Sequence, residues 1–231
     1  MRLLVIRPQP GADATTKRIR ALGYEAVLMP LFKVHPVAWD VPPAGAYDAI
    51  ILSSGNAVRH AGQGLRQLCG LPAFAVGSAT MKAAEDVGLQ VVFTGQSNLG
   101  AVIAAASEVG HRRLLWLAGE DRTGTSVPDE MSLDIRVVYK SAALPASPNF
   151  VTAVNNVAAV LLHSPRAARH FAILCDDHDL DRSLITLAAL SPQTAESAGS
   201  GWKQIFVAAE PNDAALLSEV QRCFTNGNCD P

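Results

Sequence analysis

The sequence lacks the features that indicate nucleic acid, a membrane or secretion. Its 231 residues contain 19 Lys and Arg against 21 Asp and Glu, so no basic field supports binding to nucleic acid. No apolar run approaches the ~20 residues of a membrane-spanning helix. The first apolar run, residues 3–6, ends at Arg7 and predicts a strand, not a signal peptide.

Motifs for metals, nucleotides and hydrolytic nucleophiles are also missing. The four cysteines form no CxxC pair, which predicts a reducing, cytoplasmic location without disulfides. The chain has no HExxH, no GxGxxG after the first strand, no GxxxxGK[ST] and no GxSxG. We therefore predict no metal and no nucleotide cofactor.

Aromatic residues are scarce at 6%, whereas hydrophobic residues reach 49%. Short apolar runs alternate with amphipathic stretches along the chain, as in residues 49–52 followed by 57–68, or 159–162 followed by 166–174. Near-continuous apolar strands, each followed by a helix, are typical of parallel sheets that are covered on both faces. The fold class is therefore predicted as α/β.

An internal repeat and two proline-bearing connectors indicate two domains. Residues 49–60 and 159–170 are identical at six of twelve positions, including Ser54 with Ser164 and His60 with His170. The alternative is that two strand–helix corners acquired similar residues independently. The stretches 34–43 and 141–149 are rich in proline and predict extended connectors around an inserted block. The polar tail from residue 226 is predicted to be disordered.

Small hydroxyl residues and glycines fill the corners where predicted strands meet helices. Helix N-termini offer free amides and a partial positive charge there, which suits an anionic ligand. For each serine the alternative role is helix capping alone. The corners are Ser53 to Gly55, Gly77 to Thr80, Thr94 to Ser97, Ala118 with Gly119, His163 to Pro165 and Ser191 to Thr194.

The order and spacing of these corners resemble the uroporphyrinogen-III synthase family over nearly the whole chain. No single motif is specific. The sequence departs from the family at Ser53, where threonine is frequent, and at Ser191, where glycine is frequent. The matching stretches are residues 6–8, 23–25, 29–30, 47–54, 56–58, 75–80, 137–139, 162–165, 167–168 and 190–195.

The resemblance implies two flavodoxin-like parallel-sheet domains, one inserted in the other and joined by a two-stranded connector. Residues 1–34 plus 141–231 would form the discontinuous domain, and residues 35–140 the inserted one. If the two sheets face each other, their corners line one cleft for a ligand with several carboxylates.

The reaction that the resemblance implies converts linear hydroxymethylbilane, which has eight carboxylates, to uroporphyrinogen III with inversion of the last pyrrole ring. The pyrroles supply the electrons, so no cofactor is implied. Tyr139 is the candidate catalytic donor to the departing hydroxyl, and its alternative role is that of a partly buried strand tyrosine with a satisfied hydroxyl. The candidate substrate-binding residues are Thr80, Ser54, Ser164, Thr194, Ser78 and Arg7, of which Arg7 alternatively pairs with an acid.

Two further expectations concern partners and the rival class of protein. We expect a cytoplasmic monomer that acts on hydroxymethylbilane, with transient contact to hydroxymethylbilane synthase, and no nucleic-acid or membrane partner. The rival interpretation is a non-catalytic two-domain protein that binds or senses an anionic small molecule. The His60 and His170 side chains are interpreted as surface or packing residues.

Overall fold

The computed structural model describes residues 1–96, 98–122 and 124–225, so Ser97 of the third corner and the predicted tail lie outside the described residues. The chain forms two compact units. Unit 1 comprises Met1–Lys33 together with the chain from Ala142, and unit 2 comprises Val34–Ser141. Within the described ranges, each helix is too short or too polar to span a bilayer.

The described residues form alternating strands and helices. The strands are β1 (Arg2–Val5), β2 (Glu25–Leu28), β3 (Phe32–Pro36), β4 (Ala49–Leu52), β5 (Ala73–Val76), β6 (Val91–Gly95), β7 (Arg113–Gly119), β8 (Ser132–Ala143), β9 (Ala159–Leu162), β10 (Thr186–Ala189) and β11 (Gln204–Val207). The α-helices are α1 (Gly11–Ala21), α2 (Gly55–His60), α3 (Ser78–Glu85), α4 (Leu99–Glu108), α5 (Phe150–Asn155), α6 (Pro165–Asp177), α7 (Pro192–Ala198) and α8 (Asp213–Thr225). Short 3-10 helices cover Ala44–Ala46, Gly62–Leu68 and Arg182–Leu184.

Unit 1 is built on a parallel sheet with the order β11-β10-β9-β1-β2. If the five strands are numbered 1 to 5 along the chain and the sheet is read from β2 to β11, this is the flavodoxin order 2-1-3-4-5. Successive strand side chains point to opposite faces. Leu4 accordingly packs in one buried cluster and Leu3 with Val5 in another. Helices cover both faces of the sheet, which explains why its central strand, β9, is an unbroken apolar run.

Unit 2 contains a sheet with the order β3-β8-β7-β4-β5-β6. The neighbours from β8 through β6 are parallel, and β4 is buried on both faces, with Ile50 and Leu52 in one cluster and Ala49 and Ile51 in the other. If β4 is numbered 1 and the sheet is read from β6 to β8, the order of these five strands is 3-2-1-4-5. The chain passes between the units within β3 and again within β8, and these two strands are neighbours in the sheet.

The helix predicted over residues 57–68 is divided in the structure. Ser54 caps α2, which therefore begins earlier, at Gly55, and the helix ends at His60. Gly62 then has a φ of +66°, a left-handed conformation that side chains disfavour, and the chain continues as a 3-10 helix. The sequence pattern shows the apolar period through this stretch but does not reveal that glycine turns the backbone.

Candidate functional site

The strand orders define where each sheet can bind a ligand. In open parallel sheets, ligands bind outside the carboxyl ends of the strands, at the point where the strand order reverses. In unit 1 this point lies between β1 and β9, which are followed by Arg7 and Ser164. In unit 2 it lies between β4 and β7, which lead to Ser54 and Gly119. Candidate residues therefore lie at the binding edge of each unit.

At the edge of unit 1, the Asp213 carboxylate at the start of α8 is surrounded by donors. Arg7 Nη1 lies 3.2 Å and His163 Nε2 3.1 Å from its Oδ1 atom. The Thr15 hydroxyl donates to Oδ2 at 2.7 Å, and Arg18 Nη1 lies 3.1 Å from the same oxygen. Arg7 thus pairs with an acid, one of the two roles that the sequence left open, and its side chain remains 31% exposed.

Charge and burial set the protonation of this cluster. Burial raises the pKa of the Asp213 carboxyl, but hydrogen bonds from His163 and Thr15 and the charge of Arg7 outweigh burial and lower that pKa to about 2. Burial also lowers the pKa of the His163 imidazole, although its bond to Asp213 opposes this. At neutral pH the carboxylate is therefore ionised and the imidazole neutral, with the ring proton on Nε2 facing the carboxylate.

The remaining unit 1 candidates are engaged in local hydrogen bonds. Ser164 is the N-cap of α6, and its Oγ accepts from the Ala167 amide at 3.2 Å. Thr194 is only 1% exposed, and its hydroxyl lies 3.0 Å from that of Ser191, the N-cap of α7. Ser164 therefore has the capping function that was its alternative role, and Thr194 supports the cap of the next helix.

In unit 2 the candidate hydroxyls divide into engaged and free groups. Ser54 caps α2 with the same extended backbone as Ser164, and its Oγ accepts from the Asn56 amide at 3.2 Å. Ser78 and Thr80 lie in the first turn of α3, which Gly77 precedes with a φ of +78°. Among the described residues, neither the Ser78 nor the Thr80 hydroxyl has a hydrogen-bond partner. Ser78 is exposed, so its hydroxyl is available to a ligand, whereas Thr80 is only 5% exposed.

Tyr139 lies on β8 opposite the last residue of β7. A Cβ added to Gly119 would lie 2.6 Å from Tyr139 Cζ and 2.9 Å from its hydroxyl oxygen, so the phenol ring lies directly on the glycine. The ring is partly buried, and in the described part of the chain its hydroxyl has no hydrogen-bond partner. A tyrosine buried for structural reasons normally has a satisfied hydroxyl. Tyr47 is such a case, because its hydroxyl donates to Asp134 Oδ2 at 2.6 Å.

The structure brings two further residues to this edge that were not among the predicted site residues. His60, interpreted from the sequence as a surface or packing residue, has its ring centroid 6.3 Å from that of Tyr139. Arg59 folds back over Gly55, where an added Cβ would lie 2.9 Å from Arg59 Nη1. The repeated His60 and His170 pair was the available signal, but only the packing of α2 against the sheet shows which histidine lies beside the phenol.

A cavity of about 690 Å³ opens beside α2 in unit 2, and none of the site residues predicted from the sequence lines it. Its walls include Arg59, Arg66, Cys69 and Val87. Ligands of open parallel sheets bind at strand ends, whereas this cavity extends along the helices to the C-terminal end of α3. We therefore base the candidate site on the strand ends and not on this cavity.

Parallel sheets with hydroxyl and phenol groups at their switch points define an α/β protein of the doubly wound class. A family model described as Uroporphyrinogen-III synthase HemD matches residues 13–218, and the chain therefore belongs to the uroporphyrinogen-III synthase family. Members cyclise hydroxymethylbilane in tetrapyrrole biosynthesis, and this is the activity of the chain. The match decides against the non-catalytic binding protein.

Solved structures support the fold. The chain is 16% identical to uroporphyrinogen-III synthetase from Helicobacter pylori, with a TM-score of 0.62 over 96% of this chain and 99% of that one. It is 15% identical to a mutant uroporphyrinogen III synthase from the extremely thermophilic bacterium Thermus thermophilus, with a TM-score of 0.54 over 98% and 99% of the two chains. No curated protein matches the sequence.

Proposed function

We propose that Tyr139 donates the proton to the departing hydroxyl of hydroxymethylbilane, and that the chain closes the ring with inversion of the last pyrrole. The observation that carries this assignment is the free hydroxyl of a phenol ring held against Gly119. A fixed ring with an unused donor can bond to substrate without first breaking a bond within the protein.

The chemistry requires little more from the protein than a donor and correct positioning. Electrons from the pyrrole nitrogen expel the hydroxyl, and a proton from Tyr139 lets it leave as water. General-acid assistance of this kind is worth roughly 10²–10⁴-fold. Holding the reacting ends of the linear substrate together contributes up to ~7–11 kcal/mol in favourable intramolecular reactions.

We assign the substrate carboxylates to the strand ends. Ser78 is exposed and has a hydroxyl that can donate to a carboxylate, and we assign Thr80, which is only 5% exposed, a supporting place in the same helical turn. Ser54 and Ser164 accept from helix amides through their oxygens, so each still has its hydroxyl proton to donate. Arg7 uses one terminal nitrogen on Asp213 and retains other donors on its partly exposed side chain.

Among the candidate substrate-binding residues, Thr194 is the least suited to contact the substrate directly. It is nearly fully buried, and its hydroxyl shares a hydrogen bond with Ser191. Its backbone amide is also bonded, to the Ser191 side chain at 3.3 Å. We assign it an indirect part, in which it holds the Ser191 hydroxyl at the strand end.

The test is Tyr139→Phe, which keeps the ring and removes only the hydroxyl. Single-turnover assays with fresh hydroxymethylbilane should show a rate at least about tenfold lower, or about 1.4 kcal/mol, with a nearly unchanged KM. The uninverted isomer should accumulate in competition. Tyr47→Phe is the matched control, because its hydroxyl has a protein partner. A folded Tyr139→Phe protein with the normal rate of inversion would show that the residue is structural.

Two further proposals concern cofactors and the cellular setting. The reaction should proceed at an undiminished rate in the presence of chelator, and restoration of a chelator-sensitive rate by added metal would contradict cofactor independence. We propose a cytoplasmic monomer that receives its substrate from hydroxymethylbilane synthase. Light scattering should give a mass near 24.4 kDa, and a doubled mass would exclude the monomer.

A further inference from the structure

His60 and Tyr139 form a pair of unused proton-transfer groups on unit 2. Their ring centroids lie 6.3 Å apart at an interplanar angle of 36°. In the described part of the chain, neither the imidazole nor the phenol hydroxyl has a hydrogen-bond partner. Both side chains are partly exposed. The two groups are therefore accessible and close to each other, and neither forms a hydrogen bond within the described part of the chain.

The surroundings keep the imidazole in its basic form. Burial lowers the pKa of His60 below its ordinary value of 6.5, and the neighbouring charges of Arg59 and His35 lower it further. Arg59 lies on α2 and His35 on β3, while Tyr139, whose ring lies beside that of His60, is on β8. At neutral pH the ring is thus uncharged and can accept a proton.

The equivalent histidine of the internal repeat is a structural residue. His170 occupies the position in unit 1 that His60 occupies in unit 2. Its Nε2 atom lies 2.8 Å from the Leu144 carbonyl, and its ring packs edge-on against Phe32 at 5.3 Å. Two histidines at matching positions therefore differ in whether the protein itself uses their nitrogens.

We propose that His60 is a second catalytic residue, the base that accepts the proton that the last pyrrole ring loses when the macrocycle closes. This rests on the proposed function, in which Tyr139 supplies the proton to the departing hydroxyl. It adds the group that receives a proton at the other end of the same reaction.

The proton balance of the reaction requires such a group. The carbon–oxygen bond of the hydroxymethyl group breaks, and the hydroxyl leaves as water with the proton from Tyr139. The last ring first bonds to the electrophilic carbon through its substituted position, which carries no proton. The bond from that position to the neighbouring bridge carbon then breaks, and the bridge carbon bonds to the unsubstituted position of the same ring, which recovers its aromaticity only when that position loses its proton. His60 takes this proton and returns it to the Tyr139 phenolate, so that both residues recover their starting forms. No oxidant, reductant or other reactant is consumed.

The experiment compares His60→Ala with His170→Ala on the full chain. We expect the single-turnover rate of His60→Ala to fall about 10²–10⁴-fold, with KM changed by less than about threefold. Added imidazole should raise the rate of this variant at least about tenfold. In the unmodified chain the rate should fall as the pH drops below 6.5, because protonated His60 cannot act as a base. That acidic limb should be absent from His60→Ala. The His170→Ala rate should keep the limb and should not respond to imidazole.

Each result distinguishes the two assignments. A slow His60→Ala protein that imidazole does not rescue, and that keeps the acidic limb, would make His60 a packing residue and overturn the proposal. A normal rate in His60→Ala would also overturn it, while a slow Tyr139→Phe protein leaves the donor assignment intact. Conversely, rescue of His60→Ala together with a normal rate in Tyr139→Phe would retain the base and refute the donor. If His60→Ala fails to fold, His60→Gln replaces it, and loss of the acidic limb remains the decisive measurement.

Discussion

Removing the charge of Asp213 should destabilise unit 1, because this carboxylate joins α8 to β1, α1 and β9. Asp213→Asn keeps the shape of the side chain but leaves Arg7 and Arg18 without their counter-charge. A pKa that falls from 3.8 unfolded to about 2 folded corresponds to about 2–3 kcal/mol, since each pKa unit is worth about 1.4 kcal/mol. We therefore expect a loss of about 2–3 kcal/mol at pH 6.

The sign of the pH dependence follows from the direction of this shift. Because the pKa of Asp213 is lowered on folding, its contribution is fully present above the unfolded pKa and is lost as the pH falls towards about 2. The difference between the original chain and Asp213→Asn should thus be largest above about pH 5. It should shrink to about half at pH 3.

Urea denaturation measures this difference. With an m value of about 2 kcal/mol/M, the midpoint of Asp213→Asn should fall by about 1 M at pH 6. Asp176→Asn is the matched control: its carboxylate bonds Arg182 at 2.6 and 2.8 Å, but its side chain is 59% exposed. Exposed pairs contribute about 0–1 kcal/mol. A loss in Asp213→Asn as small as that of the control, or equal at pH 3 and pH 6, would refute the reasoning.

Three further changes test the strand ends. Gly119→Ala should lower the inversion rate at least as much as loss of the Tyr139 hydroxyl, because the added Cβ displaces the phenol; Gly45→Ala, with no atom near its added Cβ, should keep the rate. Ser164→Ala should lower the unfolding free energy by about 0.5–2 kcal/mol through loss of the cap and raise KM only modestly; an unchanged melting temperature would contradict the cap. Thr194→Val should cost about 1 kcal/mol in thermal unfolding with little change in rate, and an inactive but stable variant would instead make this residue a direct substrate ligand.

Much of the architecture follows from residue patterns that act locally. The apolar runs at residues 49–52 and 159–162 form fully buried strands. Such runs are typical of parallel sheets, in which helices cover both faces of each strand. The capping roles of Ser54 and Ser164 follow from the same local logic, since a serine before a helix satisfies a free amide. The family resemblance is likewise contained in the order of such corners along the chain.

Tertiary structure decided which polar groups are used and which are free. Asp213 lies more than two hundred residues from Arg7 along the chain, and only the pairing of β1 with β9 and the packing of α8 bring them together. His60 and His170 occupy equivalent positions in a repeated sequence, yet one bonds a carbonyl and the other lies beside the Tyr139 phenol. The capping role of a corner residue depends only on hydrogen bonds to the nearby backbone, so the sequence alone is enough to predict it. Contacts between distant segments depend on sheet order, which local patterns do not specify, and so the partners of Asp213, His60 and Tyr139 emerge only from the folded chain.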